Sequence, residues 1–340
     1  MSKKRIIYFF IVATFALALC MATGFAYYLL TPGKRAGAEQ IFFVHAGSTL
    51  STVAGELEKK EIIRSKFLFR LWARIMGQGT SIKAGEYNLS SAMPPIKILE
   101  TLSRGISITH MVTIPEGFTR EQIGELLEKK GLVDKQDFLA FTGTPEAAER
   151  YGISAPSLEG YLYPDTYEFP KGLATAALVD VMLKNFMKSV APLRKQVTAR
   201  DNTIEQTITL ASIVERETGC AQERPLIASV FLNRLNKRMR LASDPTVIYG
   251  LEEFDGNLTK KDLRTHTPYN TYIIRGLPPG PIANPGLDAI KAVLYPAKTD
   301  YLYFVSKNDG THHFSRTLSE HNRAVYFYQK TKRNRQRKPS

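Results

Sequence analysis

Twenty-five consecutive residues without a charge, Ile6 to Leu30, constrain this chain more than any other feature. About 20 apolar residues in a helix cross a bilayer. Lys3, Lys4 and Arg5 precede the run and favour a cytoplasmic N-terminus, although Lys34 and Arg35 beyond it weaken the asymmetry. Tyr27 and Tyr28 stand at its far end, where interfacial aromatics belong. Gly24-Phe25-Ala26 offers a small-x-small cleavage site, so a removed signal peptide is the rival reading. The run is long for a signal core, and we read it as an uncleaved anchor. Leu19 is too bulky to precede a lipoprotein cysteine at Cys20. On either reading the chain after Leu30 is exported.

The 340 residues suffice for two or more domains. With 44% hydrophobic and 23% charged residues the chain folds rather than staying disordered. Its net charge of +14 suits nucleic acid, anionic lipid or an anionic polymer. No nucleic-acid motif is present, and Lys and Arg are scattered except in the tail from Lys330 to Lys338. Only two cysteines occur, Cys20 in the apolar run and Cys220 far from it, so no disulfide is expected. Phosphate-loop, dinucleotide and Gly-x-Ser-x-Gly patterns are missing. His312, His313 and His321 lack the spacing of a metal set, and Cys220 lacks a paired histidine, so neither metal nor cofactor is expected.

A repeat follows the anchor. Gly47 and Gly117 lie 70 positions apart, each between an extended stretch and a helical one. At the same offset Leu57-Glu58-Lys59-Lys60 matches Leu127-Glu128-Lys129-Lys130, which indicates a duplicated supersecondary unit. The spacing predicts a strand at Lys83–Tyr87 and helices at Ser65–Met76 and Ile96–Leu102. Further helices are expected at Thr175–Val190, Gln222–Arg238, Asp288–Leu294 and Ser319–Gln329. A hairpin is expected around Lys307-Asn308-Asp309-Gly310. The Pro/Gly/Asn-rich stretches Pro268–Tyr272 and Leu277–Gly286 read as rigid surface loops carrying Asn270, Tyr272 and Asn284.

The chemistry points to Thr203–Gly219, TIEQTITLASIVERETG, whose apolar residues recur at three and four. On a helical wheel Ile208, Leu210, Ala211, Ile213 and Val214 cover a broad arc. Glu205, Thr209, Ser212 and Arg216 form a narrow strip expected to be wet. Glu215 and Glu217 fall outside that strip, on opposite rims of the apolar arc. A carboxyl pressed against apolar surface has its pKa raised, as a general acid requires. It is equally what an ion-paired structural glutamate looks like. Two positions apart is about 200°, so both cannot face one cleft, and the wheel does not choose between them. Upstream, Leu158–Tyr167 gathers three tyrosines with Glu159 and Asp165, suited either to stacking on sugar or to a buried loop. Asp244-Pro245-Thr246 reads as a helix start with Asp244 as N-cap, which by itself explains that aspartate.

Two resemblances add to this. The first repeat, VHAGSTLSTVAGELEKKEII (Val44–Ile63), is similar to the opening of LysM modules, which bind N-acetylglucosamine-containing glycans. Six blocks in order resemble the endolytic murein transglycosylase (YceG-like) family over about 150 residues. They are EGYLYPDTY (Glu159–Tyr167), ASIVERET (Ala211–Thr218), DPTVIYGL (Asp244–Leu251), PYNTY (Pro268–Tyr272), GLPPGPIANPG (Gly276–Gly286) and YPAKTDYLYFV (Tyr295–Val305). The resemblance aligns the catalytic acid with Glu217. It implies substrate contacts from Asp244, Tyr249, Asn270, Tyr272, Glu159 and Glu215. Arg216 and Cys220 depart from the family's usual residues.

The implied organisation is α+β. A cytoplasmic N-terminus (1–5), a transmembrane helix (6–30) and a linker (31–38) lead into a LysM-like α/β domain with an internal duplication (39–150). A mixed α/β catalytic domain (151–329) and a basic tail (330–340) follow. The implied activity is lytic cleavage of the glycosidic bond between N-acetylmuramic acid and N-acetylglucosamine within peptidoglycan glycan strands, giving 1,6-anhydro ends. One essential carboxylate then suffices, because ordinary glycosidases need a second for water or a covalent intermediate. A hydrolytic muramidase using Asp244 or Glu215 as that second carboxylate, and a membrane-tethered wall-binding scaffold without chemistry, are the alternatives. The implied setting is the inner membrane with the catalytic part in the periplasm. Peptidoglycan synthases are the implied protein partners, with no segment marking where they dock.

Overall fold

The computed structural model describes residues 3–34, 36–78, 82–200 and 202–331. Residues 332–340, most of the expected basic tail, lie outside the described residues, as do residues 1–2 and Arg35 of the expected linker. The chain is α+β and divides into two units, residues 1–111 with 168–174 and residues 112–167 with 175–340.

In the first unit the uncharged run forms one helix, α1 (Lys3–Leu30). Its 28 residues, at 1.5 Å each, reach about 42 Å, longer than the hydrocarbon core of a bilayer. Its apolar side chains stand exposed up to Tyr27 except Phe25, which meets Trp72 edge-on, but Tyr28 is buried and its hydroxyl donates to the Ser65 carbonyl at 2.7 Å. Tyr28 is therefore a docking residue of this unit rather than an interfacial aromatic. The linker after it also lies down on protein. The Lys34 N–H donates to Ser91 O, and Ser90 Oγ donates to Gly37 O.

Strands β1 (Glu39–Val44) and β2 (Gly85–Ser90) pair antiparallel, with Glu39 opposite Ser90. Alternation sends Phe42 and Val44 of β1 and Tyr87 and Leu89 of β2 into a core closed by α2 (Leu50–Lys59), α3 (Lys66–Ile75) and α4 (Pro95–Arg104). A second ribbon, β3 (Thr109–Thr113) with β4 (Thr166–Pro170), carries the chain into the second unit and back.

The two ends of the 70-residue offset share local features. Gly47 (φ +79°) and Gly117 (φ +76°) both hold the left-handed conformation that glycine adopts without strain. Helices α2 and α5 (Arg120–Lys129) begin 70 positions apart behind the N-caps Thr49 and Thr119. The two segments nevertheless belong to different units, so residues 39–150 are not one module, as the sequence had suggested. Leu57 joins the core of the first unit, whereas Gly117 packs against the side chains of Glu215 and Arg216.

The second unit continues with α6 (Lys135–Thr142), α7 (Pro145–Glu149), α8 (Thr175–Val190), α9 (Arg194–Ala199), α10 (Ile204–Glu217), α11 (Arg224–Asn236), α12 (Asp244–Gly250) and α13 (Leu287–Leu294). Strands β5 (Tyr303–Ser306) and β6 (His312–Ser315) form the expected antiparallel hairpin, and α14 (Leu318–Val325) follows. Helix α10 is the axis of this unit. A capping box starts it, with Thr203 Oγ1 bonded to the Gln206 N–H and the Gln206 side chain reaching back. Helices α11, α12 and α13 pack around it.

The expected wet strip on α10 is absent from its middle, where every residue from Thr207 to Val214 is buried. Its polar groups are satisfied by protein instead. Ser212 Oγ donates to Thr209 O at 2.7 Å and accepts the Ile282 N–H at 3.0 Å.

Candidate active site

The two glutamates at the end of α10 leave the helix on opposite sides, and their surroundings differ. Glu215 points into the fold. Its Oε1 accepts from Arg224 at 2.6 Å and its Oε2 from the Gly286 N–H at 3.0 Å, while Arg224 also reaches Glu116. Burial pushes the Glu215 carboxyl up and Arg224 pulls it back. The structure thus places Glu215 in a mostly buried ion pair with Arg224, away from the cavity described next.

Glu217, the last residue of α10, lines a cavity of about 510 Å³. None of the ion pairs among the described residues includes it. Its Oε1 accepts a short hydrogen bond, 2.5 Å, from Ser243 Oγ. Desolvation raises its pKa to about 7, and nearby Asp244 adds to the rise. The Ser243 bond and the Arg234 charge oppose it. A carboxyl near 7 holds its proton through much of the neutral range, the condition for giving one away.

Each neighbour is fixed by its own bonds. Ser243 is the N-cap residue of α12 and Asp244 its first helical residue, so the helix starts one position earlier than the sequence predicts. The Ser243 N–H donates to Thr271 Oγ1 at 3.0 Å, and Thr246 Oγ1 donates to Ser243 O at 2.6 Å, so its hydroxyl is held toward Glu217. Tyr272 donates its hydroxyl to Asp244 Oδ1 at 2.6 Å. Arg234, on α11, donates Nε to Leu302 O and Nη1 to Leu241 O, with its guanidinium 5.3 Å from the Tyr303 ring centre. Backbone carbonyls therefore anchor it, and its charge acts on Glu217 through space.

The hairpin supplies His312, whose backbone N–H and Nδ1 both meet the Glu223 carboxylate, at 2.9 and 2.7 Å. With Nδ1 engaged, Nε2 is the nitrogen left for a ligand. His321, from α14, stacks on Tyr303 across the same cavity. Its pKa is lowered by burial and by Arg234.

Of the residues expected at the site, the structure brings Glu217, Asp244 and Tyr272 together on this cavity. It places the others elsewhere. Glu159 is 2% exposed and accepts the Arg120 N–H on both oxygens, Asn284 Nδ2 on one and the Tyr249 hydroxyl on the other. Asn284, fully buried, completes this clamp by accepting the Gly160 and Leu162 N–H groups on Oδ1 and donating to Phe118 O. Glu159, Tyr249 and Asn284 are thus structural in this arrangement, because buried backbone groups need such partners. Asn270, also fully buried, donates to the Thr265 carbonyl at 2.8 Å and accepts the Tyr272 N–H at 3.0 Å. It shapes the loop that presents Tyr272 and does not line the cavity itself.

The sequence reading passed over Ser243 and Arg234, and weighed His312 and His321 only as metal ligands. No periodicity marks them. Ser243 lies 26 positions from Glu217, and the one available hint was its place immediately before the block DPTVIYGL.

Comparisons with known proteins converge. A model of the YceG-like family matches residues 42–326. The endolytic murein transglycosylase of Bacillus subtilis (strain 168) is 34% identical over 303 residues, 84% of this chain and 83% of that protein. The protein of the same name from Streptococcus pneumoniae serotype 2 (strain D39) is 30% identical over 311 residues. That alignment spans 82% of this chain and 56% of the longer relative. A crystal structure of a protein described as yceG-like, from Listeria monocytogenes, superposes with a TM-score of 0.58 at 36% identity. It covers 84% of this chain and 98% of its own.

Proposed function

We propose a mechanism for this site on one premise: the chain belongs to the YceG-like family. It is an endolytic murein transglycosylase, a lyase that cleaves the bond between N-acetylmuramic acid and N-acetylglucosamine inside peptidoglycan strands and leaves 1,6-anhydro ends. In our assignment Glu217 is the acid. It gives its proton to the bridging oxygen as the bond from that oxygen to C1 of the muramic acid breaks. The 6-hydroxyl of the same sugar then bonds to C1, and its proton returns to the Glu217 carboxylate. Atoms balance without water, and the nucleophile belongs to the substrate, so a high effective molarity replaces a second carboxylate.

Ser243 orients the Glu217 carboxyl and steadies its ionised form between the two steps. The Arg234 charge does the same from a distance. Asp244, tied to Tyr272, keeps the acid protonated at rest and offers an oxygen to sugar hydroxyls. The observation that carries this reading is the contrast between two carboxylates two residues apart. Glu215 is ion-paired and sealed, while Glu217 lines the cavity with its pKa raised to about 7.

The test is to digest purified sacculi with wild type and Glu217→Gln and weigh the ends released. The assignment expects anhydro ends from wild type and almost none from the variant. Ends heavier by one water would replace it with hydrolysis through Asp244. By the same reading α1 anchors the chain with its N-terminus in the cytoplasm and the catalytic unit in the periplasm. A phosphatase fused after Ser340 is then active, and a reporter showing the cytoplasm there would contradict this orientation. Wall synthases remain the partners this reading calls for.

A further inference from the structure

An enzyme that cuts within a strand must hold sugar on both sides of the broken bond. The cavity around Glu217, at about 510 Å³, is of the size that encloses a single small ligand. The rest of a polymer therefore has to lie on adjoining surface. Leu318 is a wall of that cavity and also a wall of a second, open depression of about 610 Å³. The remaining lining of the second depression is Ser319, Asn322, Arg323 and Tyr326.

These residues form one stripe. Leu318, Asn322 and Tyr326 succeed one another at intervals of four, as do Ser319 and Arg323 beside them, which puts all five on one face of α14 and its continuation. From Leu318 to Tyr326 the rise is about 12 Å. Leu318 is 55% exposed and Tyr326 66%, so both present apolar surface beside the cavity. The polar members alternate with them. Asn322 carries an amide, Ser319 a hydroxyl and Arg323 a planar guanidinium.

We propose that this face of α14 is a distal binding site for the glycan strand, continuing it beyond the Glu217 cavity over Leu318. The proposal rests on the glycan-cutting reading of that cavity. A strand of amino sugars matches the stripe chemically. Its pyranose rings present C–H faces to Leu318 and Tyr326. Its hydroxyl and acetamido groups suit Asn322 and Ser319. Its muramic acid units carry lactyl carboxylates, free or extended by acidic peptides, that a guanidinium binds through two parallel hydrogen bonds. The chain's charge of +14 favours an anionic polymer in the same sense.

The experiment uses the full chain in detergent, with Arg323→Glu, Tyr326→Ser and the double variant. Two substrates are compared, long purified glycan strands and a short oligosaccharide that the cavity alone accommodates. The expected result is a KM for long strands raised about tenfold, equivalent to ~1.4 kcal/mol, with kcat and all rates on the short substrate unchanged. Equal loss on both substrates, or no change on either, overturns the proposal. Binding of long strands to Glu217→Gln, with and without Arg323→Glu, gives a second measure that needs no turnover. Weaker binding on adding Arg323→Glu supports the distal site, and equal binding removes it. Were wild type to cut neither substrate, the activity assignment would fail, and the binding comparison would still decide what α14 does.

Discussion

Replacing Ser243 with alanine isolates the acid function proposed for Glu217. The Ser243 hydroxyl donates to Glu217 Oε1 and is itself buried, so solvent screens the bond little. Hydrogen bonds to charged groups contribute about 1.5–3 kcal/mol. One pKa unit corresponds to about 1.4 kcal/mol, so losing the bond raises the Glu217 pKa by roughly one to two units, toward the lower figure if water enters the cavity. The sign follows from the chemistry. A general acid works only while protonated, so turnover falls as pH rises through its pKa, near 7 in the wild type. The alkaline limb of kcat against pH, measured on purified glycan strands, should therefore move upward in Ser243→Ala. Asp244→Asn should move it the other way, because the Asp244 charge raises the Glu217 pKa. That shift should be the smaller one, since Asp244 is exposed and its field is screened. Limbs that stay put, or that move in the same direction, would refute the reasoning.

Glu217→Gln should lower kcat by about 10²–10⁴-fold, read from the release of anhydro ends, while strand binding survives. The same variant should be more stable than wild type at pH 8 by about 1–3 kcal/mol and equal to it near pH 4 in denaturant melts. The folded-state pKa of Glu217 lies above the unfolded value, so the wild type loses stability as pH rises between about 4.5 and 7. Arg224→Met strands the buried Glu215 carboxylate and should cost about 3–5 kcal/mol, checked by the denaturation midpoint; an unchanged midpoint would show that the pair is not structural. Gly160 has φ +90° and stands where a Cβ would meet Pro281 Cγ at 2.4 Å. Gly160→Ala should therefore cost about 2–4 kcal/mol by the same assay.

Helices were the most legible part of the sequence. Thr175–Val190 was bounded correctly and α10 nearly so, because long apolar periodicity and a Thr203 cap leave little alternative. The hairpin ahead of α14 was legible from its Asn-Asp-Gly turn. What misled was polarity read as wetness. Thr209, Ser212, Glu159, Asn270 and Asn284 all looked like solvent or ligand groups; all are buried, and the last four bond to the fold's own backbone or side chains. A helix packed on every side, or a loop folded inward, needs such groups, and one-dimensional spacing does not show which donors will arrive from elsewhere. The site itself was half legible. Glu217 emerged as one of two candidates on the apolar rim, and only a resemblance to known proteins separated it from Glu215. Their surroundings differ in the structure, with Arg224 against Glu215 and a cavity beside Glu217. Ser243, Arg234 and the His312–Glu223 pair were illegible because they come from α11, the cap of α12 and β6, which meet only in the folded chain.

The account depends on Glu217 being a protonated acid at the pH where the enzyme works. A carbon-13 titration of the side-chain carboxyls, with the Glu217 signal assigned by its loss in Glu217→Gln, measures this directly. A midpoint near 7 is the expected result. A midpoint near the ordinary glutamate value of about 4.3 would mean an ionised carboxylate with no proton to give, and would contradict the mechanism.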